Sequence, residues 1–358
     1  MSLRLNSLAT SLLTLYEHTG HVQELHAAIM HMEKALKLAP DNHPHIPHMH
    51  DTLATSLRAR YQCIGDPDDL HASVTHKQQA VELTPQNHPA MPRRLHNLAS
   101  SLHARYDHTG NIQDLYAAVM HAQRALDLTP QNHTDMQHRL GCLGVLLHSR
   151  YECTGVVQDL DNAITHKERA LDLTPHGHPD MPRRLHMLAS SLHARYQRTG
   201  DARGFHTKTL HIHRAFDLTP HTHLDMPTRL NSLATSLHER HEQTRDMQDL
   251  HASILYLQKV VKLMPNNHPD MPKCLNNLAT SFHAQYERTG DMQDLHTAIV
   301  HSQRALELTP HYHLGMPRRL HILGILLQSL YERTGEIQHP DDAVTHATGT
   351  RPCSSRSP

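Results

Sequence analysis

Apolar residues fall into two periodic stretches that return together along the chain. In the first, Leu95, Leu98, Ala99, Leu102 and Tyr106 share one face of a helix, with polar residues on the other side. In the second, Leu115, Ala118, Val119, Ala122, Ala125 and Leu126 have the same helical spacing. The first stretch follows Asp-Met-Pro, as at Asp180-Met181-Pro182 and Asp270-Met271-Pro272. Asp is expected to cap the free N–H groups there, and Pro loses nothing in a first helical turn. Thr-Gly at 109–110, 154–155, 199–200 and 289–290 predicts the stop, because Gly suits a left-handed C′ position. The second stretch ends at Leu128-Thr129-Pro130, where Pro blocks continuation. So short a connection makes the two helices antiparallel neighbours.

The pair is one unit of an array. Its closing prolines, Pro40, Pro85, Pro130, Pro175, Pro220, Pro265 and Pro310, each follow the last by 45 residues. A fixed period of that size predicts a solenoid in which each repeat buries its apolar face against its neighbours. Small residues at Ala9, Ala54, Ala99, Gly144, Ala189, Ala234, Ala279 and Gly324 are expected to let helices approach closely. Tyr at 16, 61, 106, 151, 196, 286 and 331 reads as a packing column.

These residues resemble the tetratricopeptide repeat family, whose pattern is Trp-x2-Leu-Gly-x2-Tyr, then Ala-x3-Phe, then Pro, over about 34 residues. The pattern falls on Leu95, Leu98, Ala99, Leu102, Ala118, Ala122 and Pro130, with the large aromatics replaced by Leu and Ala. The longer period fits about one extra turn on each helix, ~3.6 residues apiece, plus a longer loop. The long repeat also looks like arrays in basidiomycete fungal proteins, some of which precede a caspase-like domain named for caspase, HetF and tetratricopeptide repeats. The resemblance implies an all-α, right-handed superhelical solenoid of antiparallel helix pairs, about seven full repeats plus a truncated eighth, over residues 1–346. Residues 341–344 (DDAV) look like the start of the eighth second helix, and 347–358 read as a disordered tail rich in Ser, Pro, Gly and Thr. Both ends look cut, since Arg4–Leu12 repeats the text of Arg229–Leu237 with no capping segment before it.

Composition adds three constraints. Hydrophobic residues make up 38% of the chain, which suits a thin continuous core with much surface. Histidines number 40 against 34 Lys+Arg and 35 Asp+Glu, so the net charge of −1 depends on imidazole titration. Near pH 6.5, half of them protonated would add about +20. The five cysteines (Cys63, Cys142, Cys153, Cys274, Cys353) form no CxxC, and Cys63 and Cys153 share a slot two repeats apart, too far to bridge. A reducing, cytoplasmic location follows, with no signal-like start and no apolar run long enough for a membrane span.

The chemistry-bearing candidates recur by slot. His43, His88, His133, His178, His223, His268 and His313 each stand three residues after a repeat proline, some as His-x-His (His176/His178, His221/His223, His311/His313). Imidazole makes adventitious divalent metal binding conceivable, but no four-ligand cluster is visible; the alternative is a His bonding backbone groups of its own turn. No resident metal or cofactor is expected. By resemblance, the first helix lines a concave groove. Its face away from Leu95, Leu98 and Leu102 carries Arg93, Arg183, Lys273 and Arg318, then His96, His186 and His321, then His103, His148, His193, His238 and His283. Arg94, Arg139, Arg184, Arg229 and Arg319 lie close by, and Val145 and Leu146 offer local apolar anchors where other repeats have Ser or Thr. Such a face favours an acidic peptide or partner protein, bound more tightly as the histidines charge.

Catalysis needs one asymmetric set of nucleophile, base and orienter, whereas Ser, His and Asp here repeat slot by slot, so the expected protein is a non-catalytic interaction scaffold. One alternative is a helical-repeat RNA binder, for which the Arg column speaks and the absence of Trp and the near-zero charge speak against. Another is a sensor array of a larger protein carrying the caspase-like effector. In repeat five, Gly204-Phe205 and Lys208-Thr209 replace Asp-Leu and the usual small–branched pair. A lysine on a buried stripe destabilises unless its amine reaches solvent. Hydrogen exchange should therefore show this second helix as the least protected interior helix; protection equal to its neighbours would refute that.

Overall fold

The computed structural model describes residues 1–40, 43–200, 202–310, 313 and 315–335. The expected eighth second helix at 341–344, the tail 347–358, His311 and Cys353 lie outside the described residues. The described residues hold helices and no strand, in two units that divide after residue 201. The first unit contains α1 (Ser2–Thr19), α2 (Val22–Lys37), α3 (Ile46–Ile64), α4 (Pro67–Glu82), α5 (Met91–Thr109), α6 (Ile112–Asp127), α7 (Met136–Thr154), α8 (Val157–Asp172) and α9 (Met181–Thr199). The second contains α10 (Ala202–Asp217), α11 (Met226–Thr244), α12 (Met247–Leu263), α13 (Met271–Thr289), α14 (Met292–Glu307) and α15 (Met316–Thr334). Within each unit the architecture is an all-α helical-repeat solenoid. A second helix packs against the first helix of its own repeat and against the first helix of the next.

The predicted apolar slots form the core. Leu98, Ala99 and Leu102 of α5 meet Leu115, Ala118, Val119 and Ala122 of α6, and these meet Leu143 and Leu146 of α7. In the second unit the same slots bring Leu250, Ile254 and Leu257 of α12 against Leu278, Ala279 and Phe282 of α13. At Gly144 the expected close approach occurs: a Cβ there would stand 3.1 Å from the Ala163 carbonyl oxygen of α8 and 2.7 Å from Lys167 Cγ, so the missing side chain also houses the buried Lys167 stem.

The helix stops follow the turn chemistry. Gly110 is left-handed at φ 70°, and its N–H donates to the Tyr106 carbonyl. Asn111 then caps α6 by accepting the Gln113 N–H at 3.1 Å. Repeat six has Arg245 at the equivalent left-handed position, with φ 63°, the single non-glycine of that kind among the described residues.

The starts correct the sequence reading. Asp180 and Asp270 occupy the N-cap position, but with right-handed helical dihedrals and no side-chain cap bond. A capping side chain needs an extended N-cap backbone to swing back onto the N–H groups. The acid serves another role in three repeats: Asp135 and Asp225 accept from Arg139 and Arg229 at 3.0 and 3.1 Å, and Asp180 lies 3.7 Å from Arg184. The loop histidine holds the turn instead. Nδ1 of His43, His88, His133, His178, His223, His268 and His313 accepts the backbone N–H two residues on, at 2.9–3.2 Å.

A polar clamp joins consecutive repeats. Arg94 and Arg139, both buried, donate to the hydroxyls of Thr84 and Thr129 at the end of the preceding second helix. Each threonine in turn donates to a last-turn carbonyl, as Thr129 does to Ala125 at 2.6 Å. A cation at the carbonyl end of a helix is favourable both to the unpaired carbonyls and to the helix dipole. Threonine and arginine come and go together. Ala39 stands with Met49, and Met264 with Cys274, where other repeats have the polar pair. In the second unit Met264 and Cys274 share one apolar cluster, so an apolar contact replaces the clamp.

A second polar link lies within repeats. Arg60, Arg105, Arg150 and Arg240 of first helices each grip Asp69, Asp114, Asp159 or Asp249 of the second helix with two N–H groups. Lys208, on the buried stripe of α10, meets its need within the fold rather than in solvent. Its amine bonds to Glu239 and lies 4.5 Å from the centre of the Phe205 ring.

Arg245 yields a direct test. A non-glycine residue in the left-handed region costs about 1 kcal/mol or more. Arg245→Gly should raise the stability of the second unit by about 1 kcal/mol in chemical denaturation; an unchanged or lowered midpoint would count against strain at this turn.

Candidate functional site

The face of the first helices turned away from the core is where the sequence placed ligand binding, and it is built from three slots. Arg93, Arg183, Lys273 and Arg318 are exposed. Arg93 lies 3.1 Å from the carboxylate of Asp51, a buried acid that also accepts from Lys77 Nζ at 2.7 Å. Burial works against the Asp51 carboxylate, but Lys77, Arg93 and Asn97 outweigh it and hold its pKa below the usual range.

The histidine slot is partly committed to the fold. His148 Nδ1 lies 3.1 Å from Ser191 Oγ on the next first helix, and His238 Nδ1 lies 3.3 Å from Ser281 Oγ. His103 and His283 instead use Nε2, which lies 3.3 and 3.1 Å from Ser149 and Ser329 Oγ at a different slot of the next first helix. Each of these rings ties one first helix to the next while staying half-buried. His186 and His193 are likewise half-buried.

Six of the expected binding residues are not available on this face. Arg94, Arg139, Arg184, Arg229 and Arg319 are buried, at 4–8% exposure, with their guanidinium groups turned into the fold. Arg94 and Arg139 serve the clamp, and Arg184 donates to the carbonyls of Gln137 and Ala170. Leu146 is core, 1% exposed, and packs with Leu143 and Leu147; Val145 beside it stays half-buried. One step round a helix separates the two columns, and that step divides solvent from core.

Burial also changes the histidine charge arithmetic. His96 and His50 are pushed down to about 4, first by burial and then by neighbouring histidines. Burial likewise lowers His48, His121, His138, His166, His211, His213, His238 and His301. These rings resist protonation where a free imidazole would charge, so the chain gains less charge from acid than composition suggests, and on the first-helix face this holds for His96 and His238.

One concave feature breaks the regular face. Between α5, α7 and α9 lies a recess of about 160 Å³, lined among others by His96, Gln137, His138, Gly141, Cys142 and Arg183. Burial pushes the Cys142 thiol up to about 11, against the opposing influence of Arg58 and Arg183, so it stands there as a neutral thiol. Periodicity could not show this recess, because it arises where Gly141 departs from the slot pattern. That departure was the available signal.

Sets of the form nucleophile, histidine and acid do occur: Ser191, His148 and Glu152, and again Ser281, His238 and Glu242. In both the serine is buried, at 0% and 1% exposure, and the acid is exposed. A catalytic serine must face substrate with its acid sheltered, so the order is inverted. Among the described residues, no group of three or more His, Cys, Asp or Glu is placed to hold a metal ion, and no helix is long and apolar enough to cross a membrane.

No protein-family model matches the chain, and no curated protein matches it. Solved structures do share its fold. The human IFIT1 dimer with m7Gppp-AAAA aligns at TM-score 0.55 and 16% identity, covering 90% of this chain and 62% of that one. Cut9, from the crystal structure of the APC/C hetero-tetramer Cut9-Hcn1, aligns at 0.52 and 13% identity, over 85% of this chain and 52% of that one. The C-terminal part of a TPR repeat-containing protein from Cytophaga hutchinsonii aligns at 0.50 and 13%, over 87% and 99%. The chain therefore spans about half the length of Cut9 and has a fold similar to tetratricopeptide-type helical repeats.

The lowered histidines make stability depend on pH with a definite sign. The unfolded chain takes up protons near pH 6.5, while the folded chain resists them down to about 4 at His50 and His96. Between those values the unfolded state binds more protons, so stability falls as pH falls through that window. The urea midpoint should be lower at pH 5 than at pH 7.5, and equal midpoints would refute the account.

Proposed function

We propose that this chain is a non-catalytic protein-interaction scaffold whose first-helix face receives an acidic segment of a partner protein. The observation that carries this reading is a cation exposed at the same slot of first helices in each unit, Arg93 and Arg183 in the first and Lys273 and Arg318 in the second. Buried Asp51 pairs with Arg93 through one carboxylate oxygen and with Lys77 through the other, so among these four cations it offsets Arg93. Exposed guanidinium groups favour carboxylates through paired N–H donors. Val145, His103, His148, His193, His238 and His283 are half-buried on the first helices of their own units. In this reading the array runs over residues 1–346, with 347–358 as a tail. The four described cysteines are free thiols, which fits a reducing cytoplasm.

The long repeat, similar to fungal arrays that precede a caspase-like domain, supports placing the array as the sensor part of such a larger protein. Full-length transcript sequencing tests that placement, and an open reading frame without any such domain would overturn it.

The binding itself is tested with a fluorescein-labelled peptide of alternating Glu and Ala. The chain should bind it, and Arg93→Ala combined with Lys273→Ala and Arg318→Ala should weaken it by about tenfold, close to 1.4 kcal/mol. IFIT1 is described with a capped RNA, which sets the contrasting outcome. Steeply salt-dependent binding of single-stranded oligoadenylate, with no binding of the peptide, would assign the face to nucleic acid and overturn the proposal.

A further inference from the structure

The recess between α5, α7 and α9 exists because residue 141 has no side chain. The same slot of other first helices holds His96, His186, Asn231 and Asn276. A Cβ built at Gly141 meets one atom, Ala170 Cβ, at 4.0 Å, so the space above it is open. Two polar atoms of the lining are buried and lack any hydrogen-bond partner: His96 Nδ1 and Gln137 Oε1. Native proteins seldom leave such atoms unsatisfied, because each costs about 1–3 kcal/mol. Arg183 supplies an exposed cation to the same lining, and no carboxylate belongs to it.

We propose that this recess is the specificity pocket of the first-helix face, taking one aspartate or glutamate side chain of a bound peptide. The chemistry is selective in three ways. A single exposed guanidinium matches a single carboxylate charge. The unpaired Gln137 oxygen calls for a donor, and the backbone N–H of a peptide supplies one beside its carboxylate. The neutral Cys142 thiol and the Met187 thioether give the methylene stem apolar surroundings. The inference rests on the first-helix face being the peptide-binding surface, and it adds where a peptide is read rather than merely attracted.

The array itself provides the variant. Gly141→Asn installs the side chain that α11 and α13 carry at this slot, as Asn231 and Asn276, and the new Cβ meets no clash. With the full chain and the labelled Glu–Ala peptide, Gly141→Asn should weaken binding by about tenfold, with an unchanged circular-dichroism spectrum and melting midpoint. The matching Gln–Ala peptide should bind wild type and Gly141→Asn alike, and weakly. Two results would overturn the recess while leaving the face intact: wild-type affinity in Gly141→Asn alongside loss in the Arg93, Lys273 and Arg318 triple variant, or equal affinity for the Glu and Gln peptides. Failure of the wild-type chain to bind the Glu peptide at all would remove the face reading and this inference together. Loss of oligoadenylate binding in Gly141→Asn, with peptide binding untouched, would overturn it in favour of an RNA ligand.

Discussion

Each second helix here buries apolar residues on two sides, and everything else in the array follows from that constraint. Leu115, Ala118 and Val119 of α6 face α5 and α7 within one cluster. A lone helix pair would leave half of this surface in water, at about 25 cal/mol for each Å². Stability is then a property of neighbours, as in other quasi-one-dimensional arrays. The bidentate Arg–Asp column and the Arg–Thr clamps do not supply that driving force. The first fixes the two helices of one repeat against each other, and the second fixes one repeat on the next, because a guanidinium buried against a carbonyl end tolerates little sliding.

The same constraint explains how much of the molecule can be read from its residues. Helix spacing, Gly stops and Pro punctuation are local, and Leu98, Leu102, Leu115 and Ala122 fall where their periodicity places them, in the core. The Arg94 column could not be placed by periodicity, since slots 93 and 94 differ by one step around a helix. Its fate depends on a threonine ten residues earlier, in another element. That signal was nonetheless present. Ala39 with Met49 and Met264 with Cys274 show the two positions changing together, which marks a contact between them. The aspartate caps failed for a different reason: residue type suited the role, but the backbone conformation at Asp180 and Asp270 did not.

The candidate binding face was legible only in part. Its exposed cations follow from the helical wheel, whereas the recess arises from a departure, Gly141, whose meaning depends on α5 and α9 on either side. A repeat sequence advertises its scaffold through what recurs. Ligand selectivity depends on exceptions, and an exception becomes interpretable once its spatial neighbours are known.

The loop histidines have a further chemical consequence. At each described turn Nδ1 accepts a backbone N–H, so a neutral ring must carry its proton on Nε2. A histidine that coordinates a metal through one nitrogen carries its proton on the other and donates from it. Coordination at Nε2 would therefore require Nδ1 to become a donor, directly facing another donor. Metal and turn compete for one tautomer. The row of imidazoles that resembles a ladder of ligands is, in the folded chain, closed to coordination chemistry, and a transition-metal ion could take it up only by undoing the joints between repeats.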